Sequence, residues 1–475
     1  MKKRMITLLL LVSLIASLTA CGGEAPSADT TTAAPDTTVV EDLGPFPTLP
    51  ETDLDGFTLR VASFEDNKNK YMYTEETTGD VVNDAIYNAT ALVSETFNAD
   101  IEMIFYSTTY NDVNKYATPI IQSGDDVFDL VHGHDGQMWA MSVQGFFHNV
   151  RDFKYNDFDQ PWWPAYANDE YEINDKQYVY TSYMSHLALA CAKPLLINKG
   201  IAEDYQLEIP YQTVRDGKWT MDKFSEMVKT VYSDVNGDNL QDAGDLYGMV
   251  GNSKLYGWQS AFVHCYVEDA NGVVSLDYDK ERLIDSSDRI SKLLNGGEGT
   301  FITGTEPDNT FFADGRAMFY FQSISLLASE EMRASDVDYG VLPLPKHDDK
   351  QKDYVTPTFD QQYACPMTAT ETDKVSFMIE ALSIAGYDQV IPAFFDTAMS
   401  VKYARDEETV EMLGIVRDSI CTDLAYMNTT GGTKGLGRTT MHIVSNPDTG
   451  IASYIDSIEE AELAIIEKLN AFFAE

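Results

Sequence analysis

Residues 58–64 read TLRVASF and residues 128–133 read FDLVHG; between them lie NDAIYNATALVSETFN (83–98), IEMIFY (101–106) and NDVNKYATPIIQSG (111–124). In the first of the longer segments Ile86, Ala89, Val93 and Phe97 recur every three or four residues, which lines one face of a helix. The short segments are rich in β-branched and aromatic residues, the composition of strands. Strand, helix, strand, helix, strand predicts a parallel sheet with right-handed crossovers, hence an α/β fold. Ligands of such sheets gather beyond the carboxyl ends of the strands. Those ends make Phe64 and Glu65 after the first strand, and His134 and Asp135 after the third, candidate ligand contacts.

The alternation resumes downstream. KQYVYTSYMSHLALACAKPLLIN (176–198) reads as two strand-like runs. GKWTMDKFSEMVKTVY (217–232) reads as a helix with Thr220 as N-cap and Met221, Phe224, Met227, Val228 and Val231 facing inward. FFADGRAMFYFQSISLLA (311–328) reads as a helix-to-strand turn, and VDYGVLPLPK (337–346) as a strand running into a Pro-fixed loop. TDKVSFMIEALSIA (372–385) and YIDSIEEAELAIIEKLNAFF (454–473) are amphipathic helices, the second apolar at Ile455, Ile458, Ile465, Leu469 and Phe472. No internal repeat interrupts this order.

At the start, Lys2, Lys3 and Arg4 precede the apolar run MITLLLLVSLIASL, and LTAC follows at residues 18–21. The run is too short for a membrane span and has the layout of a secretory signal over residues 1–20. Cysteine at the cut resembles the bacterial lipobox, so a covalent lipid at Cys21 is expected, with an extracytoplasmic protein held to the membrane by that anchor alone. Residues 21–54 carry Thr, Pro, Ala and acid with little to bury, and are expected to form a disordered tether reaching roughly 30 Å. The remaining chain is long for a single core, which favours two lobes. Lys and Arg number 33 against 76 Asp and Glu; without the three signal cations the balance is 30 against 76, a net charge of −46. A surface that acidic repels nucleic acid and anionic lipid. Cys191, Cys265, Cys365 and Cys421 show no Cys-x-x-Cys spacing, which removes zinc and redox motifs.

SDVNGDNLQDAGDLYG (233–248) sets Asp234, Asn236, Asp238, the Leu240 carbonyl, Asp242 and Asp245 at positions 1, 3, 5, 7, 9 and 12 of a twelve-residue loop. Hard cations want six to eight oxygens, and this spacing supplies them. Asn239 replaces the usual sixth-position glycine and Asp245 the closing Glu. A bound structural Ca2+ is expected, and no partner loop is present for a calcium switch.

Taken in order, FDLVHGHDGQ (128–137), LLINKGIAEDYQL (195–207), GKWTMDKF (217–224), DVNGDNLQDAGDLYGMVG (234–251), FFADGRAMFYF (311–321) and VDYGVLPLPK (337–346) resemble the extracellular solute-binding proteins of carbohydrate ABC importers. The resemblance implies a periplasmic-binding-protein-like type II fold, two discontinuous α/β lobes joined by three hinge crossovers. It places lobe 1 at 55–185 plus 359–400 and lobe 2 at 186–358 plus 401–475, with crossovers near Tyr183–Leu187, Thr358–Tyr363 and Ala398–Tyr403. It also implies that Asp135 contacts sugar hydroxyls and that Trp258 stacks on a sugar face, with Trp139, Tyr183 and Phe321 as further candidates. In a maltose binder Arg stands where this chain has Gly136. Trp219, Trp162 and Trp163 read as packing, and GGTKGLGR (431–438) as a cleft-edge loop.

The function implied is capture of a carbohydrate between hinged lobes by a monomer, with delivery to a membrane permease and no catalysis. The competing readings are an anchored polysaccharide hydrolase, which needs two opposed carboxylates, and a sensory or adhesive protein that borrows the binding fold.

Overall fold

The computed structural model describes residues 44–65, 71–252, 257–297, 299–303, 310–358, 361–428 and 434–474. The expected signal peptide, Cys21, most of the tether and the start of the 431–438 loop lie outside the described residues. No described helix is long and apolar enough to cross a membrane. Thr48–Glu475 packs as one unit, distinct from Met1–Pro47.

Two sheets organise this unit. In the first, Phe57–Phe64 pairs in parallel with Ala99–Ser107 on one side and Leu130–His134 on the other, as the alternating sequence predicts. A strand from much later in the chain, Gln361–Ala364, closes that sheet antiparallel to Leu130–His134. The second sheet runs Tyr339–Leu342, Leu195–Asn198, Ala317–Phe321 and Leu246–Asn252, with Tyr232–Ser233 and Thr300–Thr303 both pairing to Leu246–Asn252. Leu195–Asn198 is antiparallel to both its neighbours, so this sheet is mixed. The chain therefore leaves the first sheet after His134, builds the second, and returns at Gln361.

Helix Val81–Phe97 covers the first sheet through the expected face, with Ile86, Ala89, Val93 and Phe97 buried. Asp80 caps it, accepting from the amides of Val82 and Asn83 at 3.0 and 3.2 Å. Helix Thr372–Ala385 packs on the same layer and carries Glu380, fully buried. The Glu380 carboxylate accepts from the indole N–H of Trp162 at 2.8 Å and of Trp163 at 2.9 Å, which explains why both tryptophans are interior. Trp219 is likewise core, its indole donating to the Pro343 carbonyl at 3.0 Å.

Three expectations are corrected. The stretch around Tyr178–Met184 forms no strand beyond a single bridge from Tyr180 to Tyr363. Several amides are taken elsewhere: Thr181 N–H donates to the Asn168 side chain, Tyr183 N–H to the Trp162 carbonyl, Met184 N–H to the Ser182 hydroxyl and, just beyond, Leu187 N–H to the Ser185 hydroxyl, so these are not offered to a ladder. Thr220 makes no side-chain cap; a backbone bridge to Lys346 starts helix Met221–Thr230. In the terminal helix Ile451–Ala474 the buried stripe runs through Ile455, Glu462, Ile466, Leu469 and Phe473 rather than Ile465, because Glu462 points inward and accepts from the Tyr266 hydroxyl at 2.7 Å. The four described cysteines are free thiols.

Candidate functional site

A cavity of about 320 Å3 opens between segments that follow a strand of each sheet and segments that link the two sheets. Tyr71 and Thr78 come from the loop that follows strand Phe57–Phe64, and Asp80 and Asn83 from the start of helix Val81–Phe97. Opposite them stand Ser325, Ala328 and Arg333, which follow strand Ala317–Phe321. His186 and Ala190 belong to the segment running from the first sheet to the second, and Phe394, Ala398, Met399 and Tyr403 to helix Ala393–Tyr403, which is wound as a π-helix. Such wide turns recur at functional sites. The walls thus offer aromatic faces, one carboxylate, one guanidinium, an imidazole and short amide and hydroxyl groups. That mixture suits a ligand with flat apolar faces and many hydroxyls.

The expected ligand corner is built differently. Asp135 follows strand Leu130–His134 and begins helix Asp135–Ser142. Its carboxylate is buried, lies 2.8 Å from His134 Nδ1, and accepts from the Gly136 amide at 2.6 Å. Burial alone would favour the neutral forms of both groups. The pair overrides it, so the Asp135 carboxyl sits below its ordinary range and the His134 imidazole above. Arg438, whose guanidinium stacks 4.4 Å over Tyr426, stands close by: a Cβ at Gly136 would lie 3.9 Å from it. The space beside Asp135, walled by Ser260, Asp423 and Tyr426, measures about 10 Å3, barely room for one water.

The aromatic candidates are packed as core. Trp258 is fully buried, edge-on to Phe321 at 5.4 Å and tilted against Phe224 at 5.7 Å, so its ring faces meet protein and offer no stacking surface in this structure. Phe321 is its packing partner. Trp139 stacks on Phe473 at 6.2 Å and its indole donates to Asn428 at 3.1 Å. Phe64 stacks on His132 at 5.4 Å, and Glu65 donates its backbone N–H to Ser107 at 2.7 Å. Tyr183 stacks on Tyr387 at 5.8 Å. Of these candidates none lines the larger cavity, although Tyr71 and Asp80 belong to the chain directly beyond Phe64 and Glu65, and His186 to the expected first crossover. A strand-end loop and two crossovers were the signals that could have found them.

In the acidic loop, Asn239 adopts φ 59° and Gly237 φ 74°, the left-handed conformations that fold the chain back at its middle. The side chains serve the loop's own backbone. Asp234 accepts from the amides of Gly237 and Asn239 at 2.6 and 2.9 Å, Asp238 from Leu240 at 2.8 Å and Asp242 from Gly244 at 2.6 Å. Asp245 is fully buried and accepts from the Tyr232 hydroxyl at 3.1 Å. Among the described residues no three His, Cys, Asp or Glu side chains converge closely enough to hold a metal ion.

No family model matches the chain, and neither does any curated protein. Solved structures do. UgpB from Mycobacterium tuberculosis, in complex with glycerophosphocholine, superposes with a TM-score of 0.57 at 15% identity, covering 81% of this chain and 95% of that one. The ABC substrate-binding protein Lmo0181 from Listeria monocytogenes, in complex with cycloalternan, gives 0.55 at 12% identity, covering 87% and 99%. The maltose/maltodextrin-binding domain MalE from Bdellovibrio bacteriovorus, bound to maltotriose, gives 0.54 at 13% identity, covering 87% and 99%. At such identities the likeness is one of fold. The two sheets, exchanged strand and near-complete coverage give this chain the type II periplasmic-binding-protein-like fold, the fold of ABC-importer solute-binding proteins.

Proposed function

We propose that the protein captures a small neutral carbohydrate or polyol in the cavity lined by Tyr71, Asp80, His186, Arg333, Phe394 and Tyr403, and presents it to an ABC importer permease. The observation that carries this reading is the cavity's placement: its walls come from segments that follow a strand of each sheet and from segments that link the sheets. A ligand touching all of these favours whichever arrangement brings them together, so binding stabilises a closed form. Asp80 and Arg333 oppose each other in sign, which suits hydroxyls better than an ionic cargo. The sugars in the Listeria and Bdellovibrio complexes support the same class.

Calorimetry with maltotriose, ribitol and glycerophosphocholine, paired with X-ray scattering, tests it. Heat of binding together with a fall in radius of gyration is the expected result. Silence with all three, or turnover of the saccharide on chromatography, overturns it.

In this reading the lobes are 55–185 with 359–400 and 186–358 with 401–475, and the protein is a monomer held outside the cell by a lipid on Cys21. The 234–245 loop takes a structural Ca2+ through Asp234, Asn236, Asp238, Leu240, Asp242 and Asp245. Donor chemistry and the left-handed Asn239 support it, and the side chains must turn from the loop's amides to the ion. Chelator is expected to lower the melting temperature by several degrees, and Asp234→Ala to abolish that sensitivity; identical melting curves with and without chelator discard the ion.

A further inference from the structure

Four residues of one helix, Phe394, Ala398, Met399 and Tyr403, line the cavity, and successive members lie four, one and four positions apart. In an α-helix, with 3.6 residues per turn, the step from Phe394 to Tyr403 is about 2.5 turns, which sets the two on opposite faces. Helix Ala393–Tyr403 has the wider π winding, in which positions four and five apart share a face. Its end displays that winding, because the Ala404 amide donates to the Met399 carbonyl, five residues back, at 2.8 Å. The wall is therefore one surface only while the wide turns persist. Rewound as an α-helix, the same sequence would carry either Phe394 or Tyr403 away from the cavity.

π turns occur mostly singly, so a run of 11 residues needs holding. At its start, Pro392 has no amide to give the carbonyl four residues back, and its ring crowds that carbonyl, which interrupts the tighter ladder. At its end the second sheet reaches in. Tyr339, buried on strand Tyr339–Leu342, donates its hydroxyl to the Tyr403 carbonyl at 2.7 Å. The tyrosine is itself fixed: the Arg405 guanidinium stands 5.1 Å over its ring and donates to the Ser335 carbonyl at 3.3 Å. Rewinding turns Tyr403 by about half a turn relative to Phe394 and takes its carbonyl off the Tyr339 hydroxyl.

Resting on the capture reading, we propose that Tyr339 and Pro392, both outside the cavity lining, are positioning residues for cargo: together they keep Ala393–Tyr403 wide-turned, and so keep Phe394, Ala398, Met399 and Tyr403 on one wall.

The test uses the full chain with maltotriose and ribitol as probes, calorimetry for affinity and ligand NMR line shapes for the release rate. Tyr339→Phe should leave about one molecule in ten with the wall assembled, so affinity falls about tenfold. The loss should lie in association, since every bound molecule still has the complete wall, and the release rate should stay within about twofold of wild type. Pro392→Ala returns an amide to the tighter ladder and should act in the same direction. Both variants should melt within about 3 °C of wild type. Wild-type affinity in either folded variant overturns the assignment. So does a weakening carried wholly by faster release, the mark of a lost contact rather than a lost arrangement. Should Tyr339→Phe not fold by circular dichroism, Pro392→Ala decides alone. If neither probe binds the wild type, the capture reading itself fails and the positioning role falls with it.

Discussion

The Asp135 corner and the His186 cavity both lie beyond strand ends of the same fold, and they differ in the room they enclose. At Asp135 the polar groups satisfy one another: carboxylate, imidazole and Gly136 amide close a local network around about 10 Å3 of space. At His186 about 320 Å3 of space adjoins a buried imidazole. A satisfied buried network rigidifies, whereas a cavity with mixed polar and aromatic walls has room for a guest. Charge and sequence position alone do not separate the two cases.

Mutation should split them. Asp135→Ala leaves the part-buried His134 without its carboxylate and should destabilise the fold by about 2 kcal/mol in urea denaturation. A mutant as stable as wild type but weaker in sugar binding would make Asp135 a ligand contact and reverse the contrast. Arg333→Ala, at an exposed cavity residue, should do the opposite, weakening binding of a sugar probe about tenfold, or about 1.4 kcal/mol, with an unchanged melting temperature. A drop in stability without loss of affinity would count against the cavity.

Much of the fold was legible because it rests on periodicity. The face Ile86, Ala89, Val93 and Phe97 and the bounds of Thr372–Ala385 follow from apolar spacing, and they hold. Where side chains capture backbone amides, as Ser182 and Ser185 do, propensity misleads, since the competing hydrogen bonds depend on a local loop. The site was less legible. Aromatics such as Trp258 and Phe321 carry the same composition in a core as in a sugar platform, and burial alone tells them apart. The cavity residues are scattered singly, His186 in a loop, Arg333 in a five-residue helix and Phe394 in a π-wound one, so no spacing announces them.

The smallest expected effect is a pH dependence confined to the Asp135 corner. The part of stability that comes from Asp135, whose ordinary value is 3.8, is complete above that value and lost as pH falls through its lower folded pKa. The part that comes from His134, whose ordinary value is 6.5, is complete below that value and lost as pH rises through its higher folded pKa. Thermal melts should therefore show a shallow plateau between these limits with a gentle decline above 6.5, and Asp135→Asn should flatten that decline. A decline of equal size in the variant would place its origin elsewhere.

The central claim is that cargo enters the His186 cavity and leaves the Asp135 corner as it is. Hydrogen exchange measured with and without a binding saccharide addresses it most directly. New protection is expected over Tyr71–Asn83, Ser185–Ala190 and Ala393–Tyr403. Protection confined to Asp135–Trp139 and Asp423–Met427 would contradict it.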